Sequence, residues 1–534
     1  MGKEKSTQTG NFVLVLVAMV LGVLIGLMFA NSHSRSASGS LQGKLDEVLE
    51  LVEQEYVEPV DADSVSERVV ALLLSELDPH STYLSARETE RTDEMMRGNF
   101  EGVGLVLHRE GDTTFVGQVL DDGPSAGIGI LPGDMLVRVD GEKVSGVGMV
   151  ADSVVARLRG PRGSSVTVEV ERAKGKGEKF TIHRGVIDHK TLPCSTMLDD
   201  TTGYILLTSF ASTTHNEFRS ALRLLKRQGM RHLVLDLRGN GGGSLQSAVG
   251  VAGELLPTGS LIVYTQGAHS RRHDVRARSG GLFTDGRVTV MIDESSASAS
   301  EVVSGALQDN DRATVVGRRS FGKGLVQTEF ELRDGSSVLL TTARYYTPSG
   351  RCIQRSYDEG SDAYRQDVNN RYKNGELVSA DSIHFADSLK YKTAHGRTVY
   401  GGGGIMPDIF VPMDTMRLSD YFISLRGKGL LNSFPLQWAD AHRKSPEVKT
   451  FELFLQHYDS FGLDSLLAAE GIEKGVVRDL EKETAEPERT VHSDNYMHLL
   501  LKAQVAKDLF GTEYYYKVMK EVDDGYQQAL KLLK

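Results

Sequence analysis

Cysteine, proline and tryptophan are scarce: 534 residues contain two Cys, 13 Pro and one Trp. Cys194 and Cys352 cannot build a disulfide framework. Neither Cys-x-x-Cys nor His-Glu-x-x-His occurs, so no metal site is expected. The absence of both G-x-G-x-x-G and a Walker pattern argues against a nucleotide, and no cofactor is expected. Charge of one sign never accumulates. Lys+Arg 61 against Asp+Glu 72 gives 61 − 72 = −11, with no long basic run, which excludes non-specific nucleic-acid binding. Proline poverty beside 56 Gly indicates tight turns inside ordered domains rather than proline-rich linkers. Hydrophobic residues at 40% and charged residues at 25% are globular proportions that exclude wholesale disorder. At roughly 150 residues per domain, the length allows three or four domains.

One long apolar run is present. Residues 12–30 carry no charge and would span about 28 Å as a helix, close to the hydrocarbon thickness of a bilayer. Lys3 and Lys5 precede the run and only Arg35 follows closely, so the N-terminus is expected in the cytoplasm and the remainder outside it, in the periplasm of a Gram-negative cell. A cleaved secretory signal is the alternative. Its apolar core is usually 7–15 residues, and Met28-Phe29-Ala30 is a poor cleavage site, which favours an uncleaved anchor.

Residues 32–39 read as a Ser-rich tether. Leu45, Val48, Leu49, Val52 and Tyr56 recur at helical spacing. Short β-rich runs broken by glycine occupy roughly 98–185, strands alternate with helices to about 350, and helical spacing dominates after about 414. No internal repeat is found.

In the middle region Thr214-x-x-Glu217 predicts a capping box, and Phe218, Ala221, Leu222 and Leu225 form the apolar face of a helix ended by Gly229. The strand 233–237 leads into Arg238-Gly-Asn-Gly-Gly-Gly243 and a second helix. Another strand, 288–292, leads into Ser295-Ser-Ala-Ser-Ala-Ser-Glu301, and Arg319-Ser-Phe-Gly-Lys-Gly324 follows. Two crossover units predict a parallel sheet covered on both faces. Singly, each motif reads as a turn or a cap. Together they supply a small nucleophile at a helix start, a Lys on a tight loop and a glycine turn with N–H donors, the parts acyl transfer needs.

These strings resemble the carboxyl-terminal processing proteases, exported serine endopeptidases with a Ser-Lys dyad. Leu77-Asp-Pro-His-Ser-Thr-Tyr-Leu84, Tyr345 with Thr347-Pro-Ser-Gly350, and Tyr400-Gly-Gly-Gly-Gly-Ile-Met-Pro-Asp408 match further signatures, so the resemblance covers about 41–412. Together with the apolar run and the helical spacing at the two ends, it gives a multidomain α+β and α/β chain: a cytoplasmic stub and membrane helix over 1–31 and a helical C-terminal region over 414–534 read from residue patterning, and, implied by the resemblance, a helical segment over 41–95, a PDZ β-domain over 98–185 and a crotonase/Clp-like α/β protease core over 186–412. The family's spacing of nucleophile to Lys gives 323 − 25, or Ser298, among the competing Ser295, Ser296 and Ser300. Lys323 becomes the general base, its ammonium disfavoured by burial, and Gln327 the amide that orients the dyad. The oxyanion donors implied are the N–H groups of Ala299 and Gly242. This chain has Gly239-Asn-Gly-Gly-Gly243 where many members have Asn-Asn-Pro-Gly-Gly. Asp309 reads equally as catalytic or as support for the fold. His215, His232, His269 and His273 lack a triad context.

Phe100-Glu-Gly-Val-Gly-Leu105 stands where a PDZ domain places its carboxylate loop, so Gly102, Val103, Gly104 and Leu105 are the expected contacts for a substrate C-terminus. Val154, Val155 and Leu158 would line the groove. The partners implied are proteins or peptides with apolar C-terminal tails, and the membrane. The helices beyond 414 could oligomerise, dock an adaptor protein or pack on the core. The rival functions are a catalytically silent PDZ adaptor, which the intact Ser298 and Lys323 oppose, and a crotonase-like acyl-CoA enzyme, which an export segment opposes. If the anchor is uncleaved, the protein fractionates with the membrane and its N-terminal sequence begins near Met1. A mature chain starting at residue 31 or later would establish a cleaved signal instead.

Overall fold

The computed structural model describes residues 41–120, 122–172, 177–278, 280–414, 419–427, 430–458, 491–520 and 522–533. The membrane segment expected at 12–30 lies outside the described residues. Among the described residues no helix is long and apolar enough to cross a membrane.

The described chain starts with α1 (Leu41–Glu55), α2 (Ala62–Ser75), β1 (Thr82–Leu84) and α3 (Ala86–Arg97). Ser85 Oγ accepts the Glu88 N–H at 3.4 Å and the Glu88 carboxylate takes the Ser85 N–H at 2.9 Å, a reciprocal start to α3. Gly98, at φ 80°, ends it.

The next region contains β2 (Asn99–Gly102), β3 (Leu105–Glu110), β4 (Thr113–Val119), β5 (Met135–Val139), β6 (Glu142–Lys143), α4 (Ala151–Leu158), β7 (Ser165–Glu171), β8 (Gly177–His183) and β9 (Gly185–Asp188). The sheet order is β3-β4-β5-β7-β8, with β6 beside β5, while β2 and β9 pair antiparallel as a separate ribbon. Strict alternation makes β7 a half-buried strand: Val166, Val168 and Val170 point inward and the residues between them outward. Val154 and Leu158, expected in the binding groove, instead fill this core, because residues four apart share the helix face that meets the sheet. Val155 is half-buried.

The core follows with β10 (Cys194–Met197), β11 (Thr202–Leu206), α5 (Thr214–Arg227), β12 (His232–Asp236), α6 (Leu245–Leu255), β13 (Leu261–Gln266), β14 (His273–Arg276), β15 (Arg287–Ile292), α7 (Ala299–Asp309), β16 (Thr314–Gly317), β17 (Leu325–Glu331), β18 (Ser337–Tyr346), α8 (Ser361–Lys373), β19 (Lys390–Lys392), β20 (Thr398–Tyr400) and β21 (Ile409–Phe410). A six-stranded sheet runs β10-β11-β12-β15-β16-β21, parallel throughout except for β10 against β11. Phe218, Leu222 and Leu225 of α5, Val251 of α6 and Val302 and Val303 of α7 bury one face. The Thr214 capping box does not form. The helix begins at Thr214, and the Glu217 carboxylate takes the Thr213 hydroxyl at 2.7 Å and the N–H groups of Thr191 and Leu192 at 3.1 and 3.0 Å. A second sheet has the order β1-β18-β13-β14, with β17 also on β18. Thr82 lies opposite Leu339 and Leu84 opposite Ser337, so the N-terminal segment is built into the core.

Among the described residues six helices follow: α9 (Asp420–Gly427), α10 (Leu430–His442), α11 (Phe451–Tyr458), α12 (Val491–Phe510), α13 (Thr512–Met519) and α14 (Asp524–Leu533). Tyr421, Phe422, Trp438, Phe454, Met497 and Leu501 give the first four a hydrophobic core of their own. Helix α14 returns to the protease sheet. Its Tyr526, Ala529 and Leu533, at helical spacing, bury Tyr204, Leu206, Val234 and Met291 on the face opposite α5–α7. Of the three roles open for the C-terminal region, its last helix performs the packing one.

Candidate active site

Strand β15 delivers the chain to a turn held by Asp293, whose carboxylate takes the N–H groups of Ser295, Ser296 and Gly239 at 3.0–3.1 Å. The four serines then separate by their partners. Ser296 Oγ donates to Leu237 O at 2.8 Å and Ser300 Oγ to Asn240 O at 2.9 Å, and both are fully buried. Ser295 is exposed, whereas Ser298 is half-buried at the first turn of α7. Its backbone sits at φ 53°, ψ −111°, a conformation costing of order 1–3 kcal/mol for a residue with a Cβ. The following N–H, of Ala299, has no hydrogen-bond partner among the described residues and lies at the positive end of the helix dipole.

Lys323 approaches on the loop before β17. Gly322, at φ 91°, turns the chain, and a Cβ on Gly324 would lie 2.8 Å from the Gln354 nitrogen. The Gln354 side chain accepts the Gly324 N–H at 2.7 Å, and the Tyr345 hydroxyl donates to both the Lys323 and the Ser298 carbonyls. Burial lowers the Lys323 pKa, opposed by the charges of Glu301 and Asp78. Ser298 Oγ and Lys323 Nζ are not hydrogen-bonded to each other in this conformation.

Glu301 joins the two segments. Its Oε2 accepts the Ser298 N–H at 2.8 Å and the Lys323 N–H at 2.9 Å, while Oε1 accepts the Gly322 N–H at 2.7 Å and the Ser320 hydroxyl at 2.5 Å. The carboxyl is completely buried, which pushes it up to about 7 against the pull of those four donors.

The glycine turn packs against Ser298. A Cβ on Gly242 would lie 2.8 Å from Ser298 Cβ and 3.0 Å from the Ala299 nitrogen, so only glycine permits the approach. The Gly242 N–H donates to Asn240 Oδ1 at 2.9 Å in this structure. Asn240, fully buried, also binds Leu207 O through Nδ2 and takes the Ala297 N–H on its carbonyl, tying the turn to the serine loop.

Gln327 Nε2 donates to Thr341 Oγ1 at 3.1 Å, and Thr341 Oγ1 donates to Asp78 at 3.1 Å. Asp78 and His80, both within the Leu77–Leu84 signature, stand close enough to Lys323 to interact with its charge. His80 Nε2 meets the Tyr364 hydroxyl at 2.7 Å. Burial, then the Lys323 charge, lowers its pKa to about 4. Glu301, too, was quoted without a role, although Ser298-x-x-Glu301 has capping-box spacing. Tyr345 belongs to a further signature with Thr347-Pro-Ser-Gly350 but carried no role there, and no sequence signal marked Gln354.

Asp309 has a structural partner: Arg351 binds it at 2.7 Å with both side chains fully buried. His215 pairs with Glu254 at 2.8 Å. In the PDZ region Gly102 ends β2, Val103 is buried, Gly104 sits at φ 75° with its Cβ position 2.9 Å from Gly123 Cα, and Leu105 begins β3. β3 is an edge strand of its sheet. Among the described residues no cluster of His, Cys, Asp and Glu is arranged to hold a metal.

Peptidase family S41 matches residues 201–360, the PDZ domain family matches 115–172, and a family of unknown function matches 421–511. The carboxy-terminal-processing protease of Bartonella bacilliformis is 32% identical over 400 residues, covering 73% of this chain and 90% of the relative. The carboxy-terminal processing protease CtpA of Bacillus subtilis is 30% identical over 350 residues, 64% of this chain and 74% of its own. Among solved structures, a photosystem II D1 C-terminal processing protease aligns at 26% identity and TM-score 0.37, covering 72% of this chain and 89% of that one. A parallel α/β core of this kind beside a PDZ domain defines a serine-type peptidase of family S41. The chain belongs to the carboxy-terminal processing proteases.

The His80 environment has a thermodynamic signature. The folded state keeps the imidazole neutral to about pH 4, whereas an unfolded His protonates below about 6.5. Its contribution to stability is therefore complete above pH 6.5 and lost as pH falls to 4. Glu301, raised from 4.5 to about 7, works oppositely: its contribution is complete below 4.5 and lost as pH rises through 7. Replacing His80 by Gln removes the first term alone. The melting-temperature difference, wild type minus His80→Gln, should shrink steadily as pH is lowered from 6.5 to 4. A constant difference over that window would mean His80 titrates like an exposed imidazole.

Proposed function

We propose that this protein is an exported, membrane-anchored endopeptidase that reads apolar C-terminal tails through its PDZ domain and cleaves by a Ser298–Lys323 dyad. One observation carries the dyad: the backbones of Ser298 and Lys323 donate to the same oxygen of Glu301, at 2.8 and 2.9 Å, so one buried group sets both positions.

Neutral Lys323 takes the Ser298 Oγ proton as the oxygen attacks the scissile carbonyl, substrate binding bringing Nζ and Oγ within reach. The oxyanion is received by the Ala299 N–H, which has no partner among the described residues, and by the Gly242 N–H, shared with or released from Asn240. The Lys323 ammonium then protonates the departing amine. Water, deprotonated by Lys323, hydrolyses the ester formed on Ser298. Gln327 steadies the base from its Thr341 contact without adding charge. At the PDZ domain the tail adds along the free edge of β3, with its carboxylate at Gly102–Leu105. The apolar run at 12–30 supports the anchor and export.

Ser298→Ala and Lys323→Ala should each lower kcat/KM by on the order of 10⁴-fold while remaining folded, and the double variant should be little worse than either, because groups acting as a unit are non-additive. Assays on a tailed peptide check this. Additive losses, or either single variant at near wild-type rate, would remove the dyad.

For the tail, matched peptides with a free or an amidated C-terminus separate the two halves of the reading. Amidation removes the charge on which hydrogen bonds worth about 1.5–3 kcal/mol depend. Loss of one such bond should lower kcat/KM about tenfold or more. Equal rates for both peptides would show that the PDZ domain does not read the terminus.

A further inference from the structure

The glycine turn is anchored from behind by α14, far from it in sequence. Arg238 begins the turn, and its guanidinium binds two carboxylates. One is its neighbour in β12, with Nε 3.0 Å from Asp236 Oδ1 and Nη2 2.7 Å from Oδ2. The other comes from the far end of the sequence, with Nη1 2.9 Å from Asp523 Oδ1 and Nη2 2.7 Å from Asp523 Oδ2, a bidentate fork. Asp236 is also held by the Tyr204 hydroxyl at 2.8 Å. Asp523 in turn caps α14, accepting the Tyr526 N–H at 3.0 Å, and a Cβ on Gly525 would come within 3.3 Å of Arg238 Nη1. Burial opposes the Asp523 charge, but the Arg238 bond and charge outweigh it and lower the pKa. The matched families end at residue 511, so this contact comes from outside them.

We propose that Asp523 is a positioning residue for the cleavage reaction. By fixing Arg238 it fixes the register of residues 239–243 against Ser298 and Ala299, and so the placement of the oxyanion donors. Asp236 alone holds Arg238 from within its own strand end, where the side chain can swing with the turn. The fork from α14 ties the same guanidinium to an element packed on the sheet. The proposal rests on the oxyanion reading above and concerns only how that site is held.

Asp523→Asn tests it with little change of shape, since Asn retains an acceptor for the Tyr526 N–H. On the full-length chain with a tailed peptide, kcat should fall about tenfold, less than the 10²–10³-fold seen on deleting an oxyanion donor outright. KM should stay within about twofold, and the melting temperature should fall by only about a few degrees, since one charge-assisted bond is lost while Asp236 still pairs with Arg238. The affinity for a peptide boronic acid, whose tetrahedral adduct occupies the oxyanion site, should fall in step with kcat. Asp523→Glu, which restores the charge, should recover most of the loss. Leu533→Ala, which loosens α14 without touching Arg238, should lower the melting temperature and leave kcat intact at temperatures well below it. Wild-type kcat in Asp523→Asn, an unchanged boronate affinity, or an equal kcat loss in Leu533→Ala would each overturn the proposal. An active Ser298→Ala variant would instead overturn the nucleophile assignment and leave the Asp523 comparison readable on kcat against KM.

Discussion

Glu301 lies between the helix that carries Ser298 and the loop that carries Lys323, and it is bonded to the backbone of both. Removing a carboxylate from water costs several kcal/mol unless donors surround it, and here four do. That balance explains how Ser298 stands at a positive φ while Lys323, its proposed base, is held largely buried beside it. Neither state is favourable alone. Both persist because the strained turn and the glycine-flanked loop share one acceptor, so relaxing either would leave buried N–H groups without partners. The Tyr345 hydroxyl repeats the device from the other side, reaching the carbonyls of the same two residues.

The parts of this architecture that were legible in the sequence are those governed by local periodicity. The valines of β7 alternate as a half-buried strand must, and Phe218, Leu222 and Leu225 mark the inward face of α5. Local rules failed where tertiary partners compete for the same group. Glu217 has capping-box spacing from Thr214, yet its carboxylate serves Thr191 and Leu192 on another segment. Val154 and Leu158 were assigned to a groove because apolar residues on a PDZ helix suit either side, and only the packed sheet decides which way they face. In the active site the motif spacing singled out Ser298 from three neighbours, and the hydrogen bonds of Ser296 and Ser300 distinguish them physically. Asp78 and His80 could not be placed, because their position beside Lys323 depends on β1 joining a strand more than 250 residues away.

A parallel sheet needs cover on both faces, and this chain draws one cover from within the core's sequence and the other from beyond it. Helices α5, α6 and α7 come from the crossovers of the sheet itself. The opposite face is covered by α14, from beyond the core's own crossovers, whose Tyr526, Ala529 and Leu533 seal Val234 and Met291. The cover of the protease sheet thus depends on residues beyond 520, and in sequence the aromatic cluster of α9–α12 stands between the core and the helix that covers it.

The PDZ domain enters and leaves the protein along one ribbon. Asn99 in β2 faces Asp188 in β9, and one step outside that pair the His189 N–H donates to the Gly98 carbonyl at 2.9 Å. Its two ends are therefore side by side, and the chain on either side continues as though nothing had intervened, with β1 already committed to the core sheet. Such a topology makes the PDZ domain a cassette. It can be exchanged in evolution for one with another preference, with no strand of the cutting machinery rethreaded.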